Sequence, residues 1–104
     1  SAPATATPAT VPGAPRNLNA KPGSPRGVSL TWQAPTSNGG AAITGYRIYR
    51  STSTGTETFL IAVGTVTSFT DTTTTSGGRY YYKVTAVNAV GEGPQSAEAN
   101  ARAK

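Results

Sequence analysis

Four side-chain carboxylates are the acid–base groups that this sequence offers for catalysis: Glu57, Asp71, Glu92 and Glu98. Hydrolysis of a glycosidic bond needs two carboxyl groups about 5 to 10 Å apart across a cleft, one acting as an acid and the other as a base or nucleophile. Nothing in the residues around the four acids indicates a walled pocket. We therefore interpret them as solvated loop acids, and we predict no catalytic residue.

Cysteine, histidine and methionine are absent from the 104 residues. Their absence removes disulfides, thiol nucleophiles, imidazole bases and the usual soft metal ligands. Glycine pairs such as Gly39-Gly40 and Gly77-Gly78 are not phosphate cradles, because a cradle needs a following helix and strand-like runs follow here. We interpret them as turn residues, and we predict no metal, no cofactor and no enzymatic activity.

The net charge of +5 raises the question of nucleic-acid binding, which requires clustered bases. The bases are instead spread singly along the chain, so we predict no nucleic-acid partner. No apolar run approaches the ~20 residues of a bilayer crossing, so we predict a soluble fragment with no membrane partner. We also expect the isolated domain to be a monomer. No signal segment opens the chain, and for a secreted parent we expect the signal upstream of Ser1. The nine bases are Arg16, Lys21, Arg26, Arg47, Arg50, Arg79, Lys83, Arg102 and Lys104.

The first fourteen residues differ in composition from the rest. Prolines recur every few positions, and no apolar side chain is larger than that of Val11. Such a stretch buries too little to offset its ordering entropy, and its prolines favour extended segments. We predict a linker at residues 1–14 and one folded domain at residues 15–104. A spacer between two folded bodies and an ordinary disordered terminus both remain open.

From residue 16 onward, short β-rich runs alternate with Gly, Pro, Asn and Ser clusters. In the second run, Val28, Leu30 and Trp32 alternate with polar residues, which is typical of a strand with one buried face. Seven such runs predict an all-β fold, a seven-stranded antiparallel β-sandwich of two stacked sheets. The runs cover residues 17–20, 27–33, 43–50, 58–63, 66–70, 79–88 and 95–101.

An ordered set of motifs resembles a fibronectin type III domain across about residues 13 to 102. The motifs are Pro15-Arg16-Asn17-Leu18, Leu30-Thr31-Trp32, Ile43-Thr44-Gly45-Tyr46-Arg47-Ile48-Tyr49, Tyr80-Tyr81-Tyr82-Lys83-Val84-Thr85-Ala86-Val87-Asn88, and Ala89-Val90-Gly91-Glu92-Gly93-Pro94 with Ser96. Any one of these motifs taken alone is weak evidence for the resemblance. The ordered set with its spacings is strong.

The resemblance implies an immunoglobulin-like topology in which the first, second and fifth strands form one sheet and the other four form the second. It implies that Trp32 packs between the sheets and that the Tyr80 hydroxyl bonds a backbone group in the preceding corner. Thr74 departs from the family pattern, where a leucine usually fills that corner, so we expect looser packing there. Glu57 and Asp71 fall toward one end, so that only these two acids could approach each other. Alternation and resemblance together predict a core of Leu18, Leu30, Trp32, Tyr46, Ile48, Tyr80, Tyr82, Val84 and Ala86.

One candidate binding surface follows from the implied pairing of the third and sixth strands. Arg47 and Tyr49 would face the same solvent side as Tyr81 and Lys83. Aromatic rings stack on sugars, but cross-strand and cation–π pairs also stabilise a sheet by about 0.2 to 1 kcal/mol each. Because a flat sugar-binding face usually needs several coplanar rings, sheet stabilisation is the favoured interpretation.

The function that the resemblance implies is a spacer. Such modules occur in animal adhesion proteins and in secreted bacterial enzymes that degrade polysaccharides, and the Pro/Thr/Ala linker favours the bacterial type. We predict a secreted, extracellular accessory module of a glycoside hydrolase, whose partners are the other domains of the same polypeptide. The alternative is a module that binds insoluble polysaccharide or a protein through the candidate surface.

Overall fold

The computed structural model describes residues 9–23 and 26–104, and within these ranges the chain forms strands but no helix. The strands are β1 (Arg16–Pro22), β2 (Val28–Gln33), β3 (Ile43–Ser51), β4 (Thr58–Val63), β5 (Ser68–Asp71), β6 (Arg79–Asn88) and β7 (Ala99–Arg102). A search of these ranges for a helix able to cross a membrane accordingly finds none.

The strands form two antiparallel sheets, one with the order β1-β2-β5 and the other with the order β4-β3-β6-β7. This confirms the predicted β-sandwich and the sheet membership that the resemblance implied. Side chains on alternate strand residues point to opposite faces, so each sheet directs one apolar row inward. The sheets meet along these rows.

Most of the core comes from the inward rows of β2, β3 and β6. Leu30, Trp32, Tyr46, Ile48, Tyr80, Tyr82, Val84 and Ala86 are all buried. The rings of Trp32 and Tyr46 meet edge to face, with centroids 5.5 Å apart. Leu18 is only partly buried against this cluster, because it lies on the edge strand β1.

The two terminal strands differ from the predicted runs. β1 extends from residue 16 to 22 and contains an irregularity at Asn17, whose φ of 54° is rare for a residue other than glycine. β7 begins only at Ala99. The chain before it is held irregularly, because the Ser96 hydroxyl accepts a hydrogen bond from the Val84 backbone N–H at 2.9 Å. A side chain there replaces part of the regular ladder.

The last residues of the predicted linker contact the sandwich. Thr10 N–H donates to Gly39 O at 2.8 Å, and Gly13 N–H donates to Ser37 O at 3.0 Å. Pro12 is fully buried. These contacts could not be foreseen from composition, because they are made by the backbone. Residues 1–8 of the predicted linker lie outside the described residues.

Asn88 joins this segment to the opposite turn. Its amide group, in a residue only 4% exposed, donates to Thr10 O and to Asn38 O, both at 2.8 Å. Gly93 lies so close to Pro12 O that a Cβ atom there would overlap it. We call this set of contacts around residues 10–13 the N-terminal clasp. It fixes the direction in which the chain enters the domain.

The corner between β5 and β6 contains the contact expected of Tyr80. Its hydroxyl accepts a hydrogen bond from the Thr75 backbone N–H at 2.8 Å. Thr74, where the family usually has leucine, has a buried hydroxyl with no hydrogen-bond partner among the described residues. The hydroxyl therefore does not compensate for the missing leucine.

Tyr80→Phe is expected to lower the free energy of unfolding by about 1 to 2 kcal/mol, because the Thr75 N–H loses its partner in a part-buried hydrogen bond. Tyr81→Phe removes the same atom from the opposite face and is expected to change stability by less than about 0.5 kcal/mol. Urea denaturation of both variants measures the difference. Equal losses would contradict the role given to the Tyr80 hydroxyl.

Candidate functional site

The candidate surface is the outer face of the four-stranded sheet. Because Tyr46, Ile48, Tyr82 and Val84 point inward, alternation directs their neighbours on β3 and β6 outward. The register places Arg47 opposite Thr85 and Tyr49 opposite Lys83. The four residues predicted for this surface are Arg47, Tyr49, Tyr81 and Lys83. The structure divides them between different environments.

Arg47 and Tyr49 are bound to Glu92. The Tyr49 hydroxyl donates to Glu92 Oε2, and the Thr85 hydroxyl donates to the same atom at 2.6 Å. Arg47 Nη1 lies 3.3 Å from Glu92 Oε1. This carboxylate covers Thr85, which is 1% exposed although it lies on the outer face. Glu92 is therefore a structural centre of the face, not a solvated loop acid.

The turn after β6 carries Glu92 back over the sheet. Val87 and Glu92 form an isolated antiparallel bridge, and Gly93 N–H donates to Ala86 O at 2.9 Å. Burial raises the pKa of Glu92, but hydrogen bonds from Thr85 and Tyr49 and the nearby Arg47 outweigh it and hold the pKa below its usual value. Burial and the bond to this carboxylate raise the pKa of the Tyr49 hydroxyl.

Lys83 lies beside a pair of carboxyl groups. Its Nζ is 3.9 Å from Glu57 Oε1, and the Glu57 side chain is only 2% exposed, so the prediction that Glu57 is a solvated loop acid is wrong. Burial and the neighbouring Glu98 raise the pKa of Glu57. The neighbouring Glu57 carboxyl group and hydrogen bonds from the Thr54 hydroxyl and the Gly55 N–H lower the pKa of Glu98 to about 2. Glu57 is therefore the more basic carboxyl group of the pair.

Asp71 lies inside the sandwich, so the prediction that it is a solvated loop acid is wrong. It ends β5, is 1% exposed and accepts hydrogen bonds from Arg50 at 2.9 Å and from the Tyr82 hydroxyl at 2.8 Å. Burial raises the pKa of Asp71, but the hydrogen bonds from Thr73, Arg50 and Tyr82 together have the larger effect. The net shift of the pKa is therefore downward. The prediction that only Glu57 and Asp71 could approach each other is also wrong, because Glu57 lies beside Glu98.

This arrangement uses the carboxyl groups for structure. Asp71 joins the two sheets, Glu92 joins β3 to the turn after β6, and Glu57 and Glu98 join the loop after β3 to the segment before β7. Among the residues that the structure describes, no group of three or more potential acidic ligands could hold a metal ion.

The exposed rings do not form a flat platform. Tyr49 meets Phe59 of β4 edge to face, with centroids 5.9 Å apart and planes at 74°. Phe59 is 56% exposed and was not predicted at this surface. The signal that could have found it is its pairing with Tyr49 in the register of β3 and β4. Tyr81 lies further along β6, opposite Asn100 of β7.

Comparison with known proteins places the fold in one family. The fibronectin type III domain profile matches residues 13–102. Exoglucanase B of Cellulomonas fimi is 36% identical over 82 residues, which are 79% of this chain and 7% of that protein. Titin of Drosophila melanogaster is 36% identical over 86 residues, which are 81% of this chain and a share of titin that rounds to 0%.

A solved structure agrees with these sequence matches. A Fn3-like protein from Clostridium thermocellum superposes with a TM-score of 0.75 at 35% identity, covering 89% of this chain and 94% of that one. The chain thus spans a small part of the two curated relatives and nearly the whole of this solved domain. The chain belongs to the fibronectin type III family.

Proposed function

We propose that this domain is a non-catalytic spacer in a secreted bacterial glycoside hydrolase, where it sets the distance and orientation between a catalytic domain and a carbohydrate-binding domain. The observation that carries the proposal is the match to exoglucanase B, in which a segment of this kind occupies 7% of a polysaccharide-degrading enzyme. Titin matches equally well, but the Pro/Thr/Ala-rich start of this chain favours the enzyme context.

The engagement of the acidic groups supports a role without catalysis. Glycosidic hydrolysis needs an acid and a base facing a common cleft. Here Asp71 is enclosed between the sheets, and Glu92 is bound by three partners on a sheet face. The remaining pair, Glu57 and Glu98, face each other. In this role the domain acts as a monomer, and its partners are the other domains of the same polypeptide.

The N-terminal clasp supports a role in orientation as well as distance. A flexible linker alone leaves the angle between two domains free. Here the backbone of Thr10 and Gly13 is bonded to the turn at Ser37–Gly39, and Asn88 bonds both sides. A preceding domain would therefore be attached to a fixed point at one end of the sandwich.

A chimera of exoglucanase B tests the proposal. Deleting its matching segment is expected to lower hydrolysis of an insoluble glucan severalfold while kcat/KM on a small soluble oligosaccharide stays within about twofold, since a spacer contributes nothing to the transition state. Inserting residues 9–104 of this chain is expected to restore hydrolysis of the insoluble glucan. An equal loss on both substrates, or no loss on either, would contradict the proposal.

A further inference from the structure

The fold gathers basic residues that are dispersed in the sequence. In the described part of the chain, Arg47, Arg50 and Lys83 pair with carboxylates, and the other six bases make no ion pair. Five of these six lie at the end of the sandwich where β1 and β7 finish and where β2 and β6 begin. They are Lys21, Arg26, Arg79, Arg102 and Lys104.

Two of these bases face each other directly. Arg79 and Arg102 are partners in the β6–β7 register, and their inward neighbours Tyr80 and Ala101 place both on the outer face. Like charges directly opposite in a sheet destabilise it. Arg79 Nη1 donates to Asn100 Oδ1 at 2.6 Å, and Arg102 Nη1 lies 3.4 Å from Gly77 O. Both arginines are exposed, and each has further N–H donors directed at no residue described.

An aromatic residue lies on the same face of the sheet as these two arginines. Tyr81 is on the same face as Arg79, two residues along β6, and is opposite Asn100. Unlike Tyr49, its hydroxyl makes no hydrogen bond to any residue described. We call Arg79, Tyr81, Asn100 and Arg102 the β6–β7 patch. It offers a half-exposed ring, an amide and two planar cations.

The chemistry of the β6–β7 patch matches a carboxylated sugar better than a nucleic acid. A guanidinium binds a carboxylate through two parallel hydrogen bonds, and a ring beside it can stack on the sugar that carries that carboxylate. A nucleic-acid strand instead needs a basic track along its phosphates. Here no such basic track continues along β6. The next outward-facing residue after Tyr81 is Lys83, which is paired with Glu57 and lies near Glu98.

We propose that the β6–β7 patch binds a uronate-containing polysaccharide, with Tyr81 stacked on a sugar ring while Arg79 and Arg102 hold its carboxylate. The bound anion relieves the repulsion between the two arginines. This site is additional to the spacer role and independent of it, because it concerns an anionic polymer and is present in the isolated domain.

Titration of the 104-residue chain with polygalacturonate tests this proposal. We expect measurable binding at low salt, and about tenfold or greater loss of affinity in Arg79→Gln/Arg102→Gln, since each lost charge-assisted bond contributes appreciably. The matched control is Arg16→Gln/Arg47→Gln, which removes the same charge at positions away from this end of the sandwich and is expected to change Kd by less than about threefold. Tyr81→Ser keeps the charge and is expected to weaken binding at least about fivefold.

Thermal melts followed by Trp32 fluorescence show that each variant is folded before it is titrated. The proposal is overturned by absence of binding to polygalacturonate, by equal losses in the two double variants, or by a Tyr81→Ser variant that binds like the wild type. It is also overturned when a single-stranded oligonucleotide binds more tightly than polygalacturonate at the same salt concentration, because the patch then serves phosphates.

Discussion

Trp32→Ala is expected to lower the free energy of unfolding by about 3 to 5 kcal/mol, the usual loss for removing a large buried aromatic side chain. Trp32 is 3% exposed and meets Tyr46 edge to face between the sheets. Since a domain of this size has about 5 to 15 kcal/mol of stability, much of the variant would unfold in mild denaturant. Urea denaturation followed by circular dichroism measures the change.

Phe59→Ala is the matched control for Trp32→Ala. It also truncates an aromatic side chain on a strand, but Phe59 is 56% exposed on the edge strand β4. We expect a loss of less than about 1 kcal/mol, because little apolar surface leaves a buried site. Similar losses in the two variants would mean that the inward row of β2 is not the centre of the core.

Asp71→Asn is expected to lower the free energy of unfolding by about 3 kcal/mol at neutral pH, because it leaves the Arg50 charge without its partner in a mostly buried site. The Arg50 side chain is 25% exposed, and its guanidinium also lies 5.3 Å from the Tyr80 ring centroid. The matched control is Glu57→Gln, another buried acid changed to its amide. Because the pKa of Glu57 is raised, we expect that change to be close to neutral or stabilising.

The loss in Asp71→Asn is expected to depend on pH with a definite sign. The folded-state pKa of Asp71 is below its ordinary value of about 3.9, so the folded protein binds fewer protons than the unfolded chain as the pH falls. The stabilisation is present above about pH 4 and is lost as the pH drops through the folded pKa. Urea melts at several pH values should show the wild type and the variant converging in acid. A constant difference would contradict an ionised Asp71.

The sandwich and its inward rows were predictable because they depend on local alternation. Val28, Leu30 and Trp32 alternate with polar residues, and each inward position follows from the one before it by the geometry of a strand. The sheet order was not available from alternation. It came from the resemblance carried by the spacing of several motifs.

The polar interior was not predictable in the same way. Asp71 lies 21 residues after Arg50 and 11 residues before Tyr82, and no local pattern shows that a loop-like acid will lie between the sheets. Arg79 and Arg102 were likewise not predicted to lie together, because they are distant in sequence although they are directly opposite in the sheet. A linear spread of bases does not exclude a cluster, because antiparallel pairing brings distant residues together.

The spacer role is tested most directly by replacing this domain with an unrelated domain of the same size. In the exoglucanase B chimera, an unrelated β-sandwich of similar length is exchanged for the inserted domain, and hydrolysis of an insoluble glucan is measured. The account predicts recovery of at least about half the activity lost on deletion, because an unrelated sandwich restores the separation of the flanking domains although it lacks the N-terminal clasp. Two results together would contradict the account: the unrelated sandwich does not restore hydrolysis, and Phe59→Ser/Tyr81→Ser in the inserted domain lowers hydrolysis to the level of the deletion. The outer face of the sheet would then bind the substrate itself.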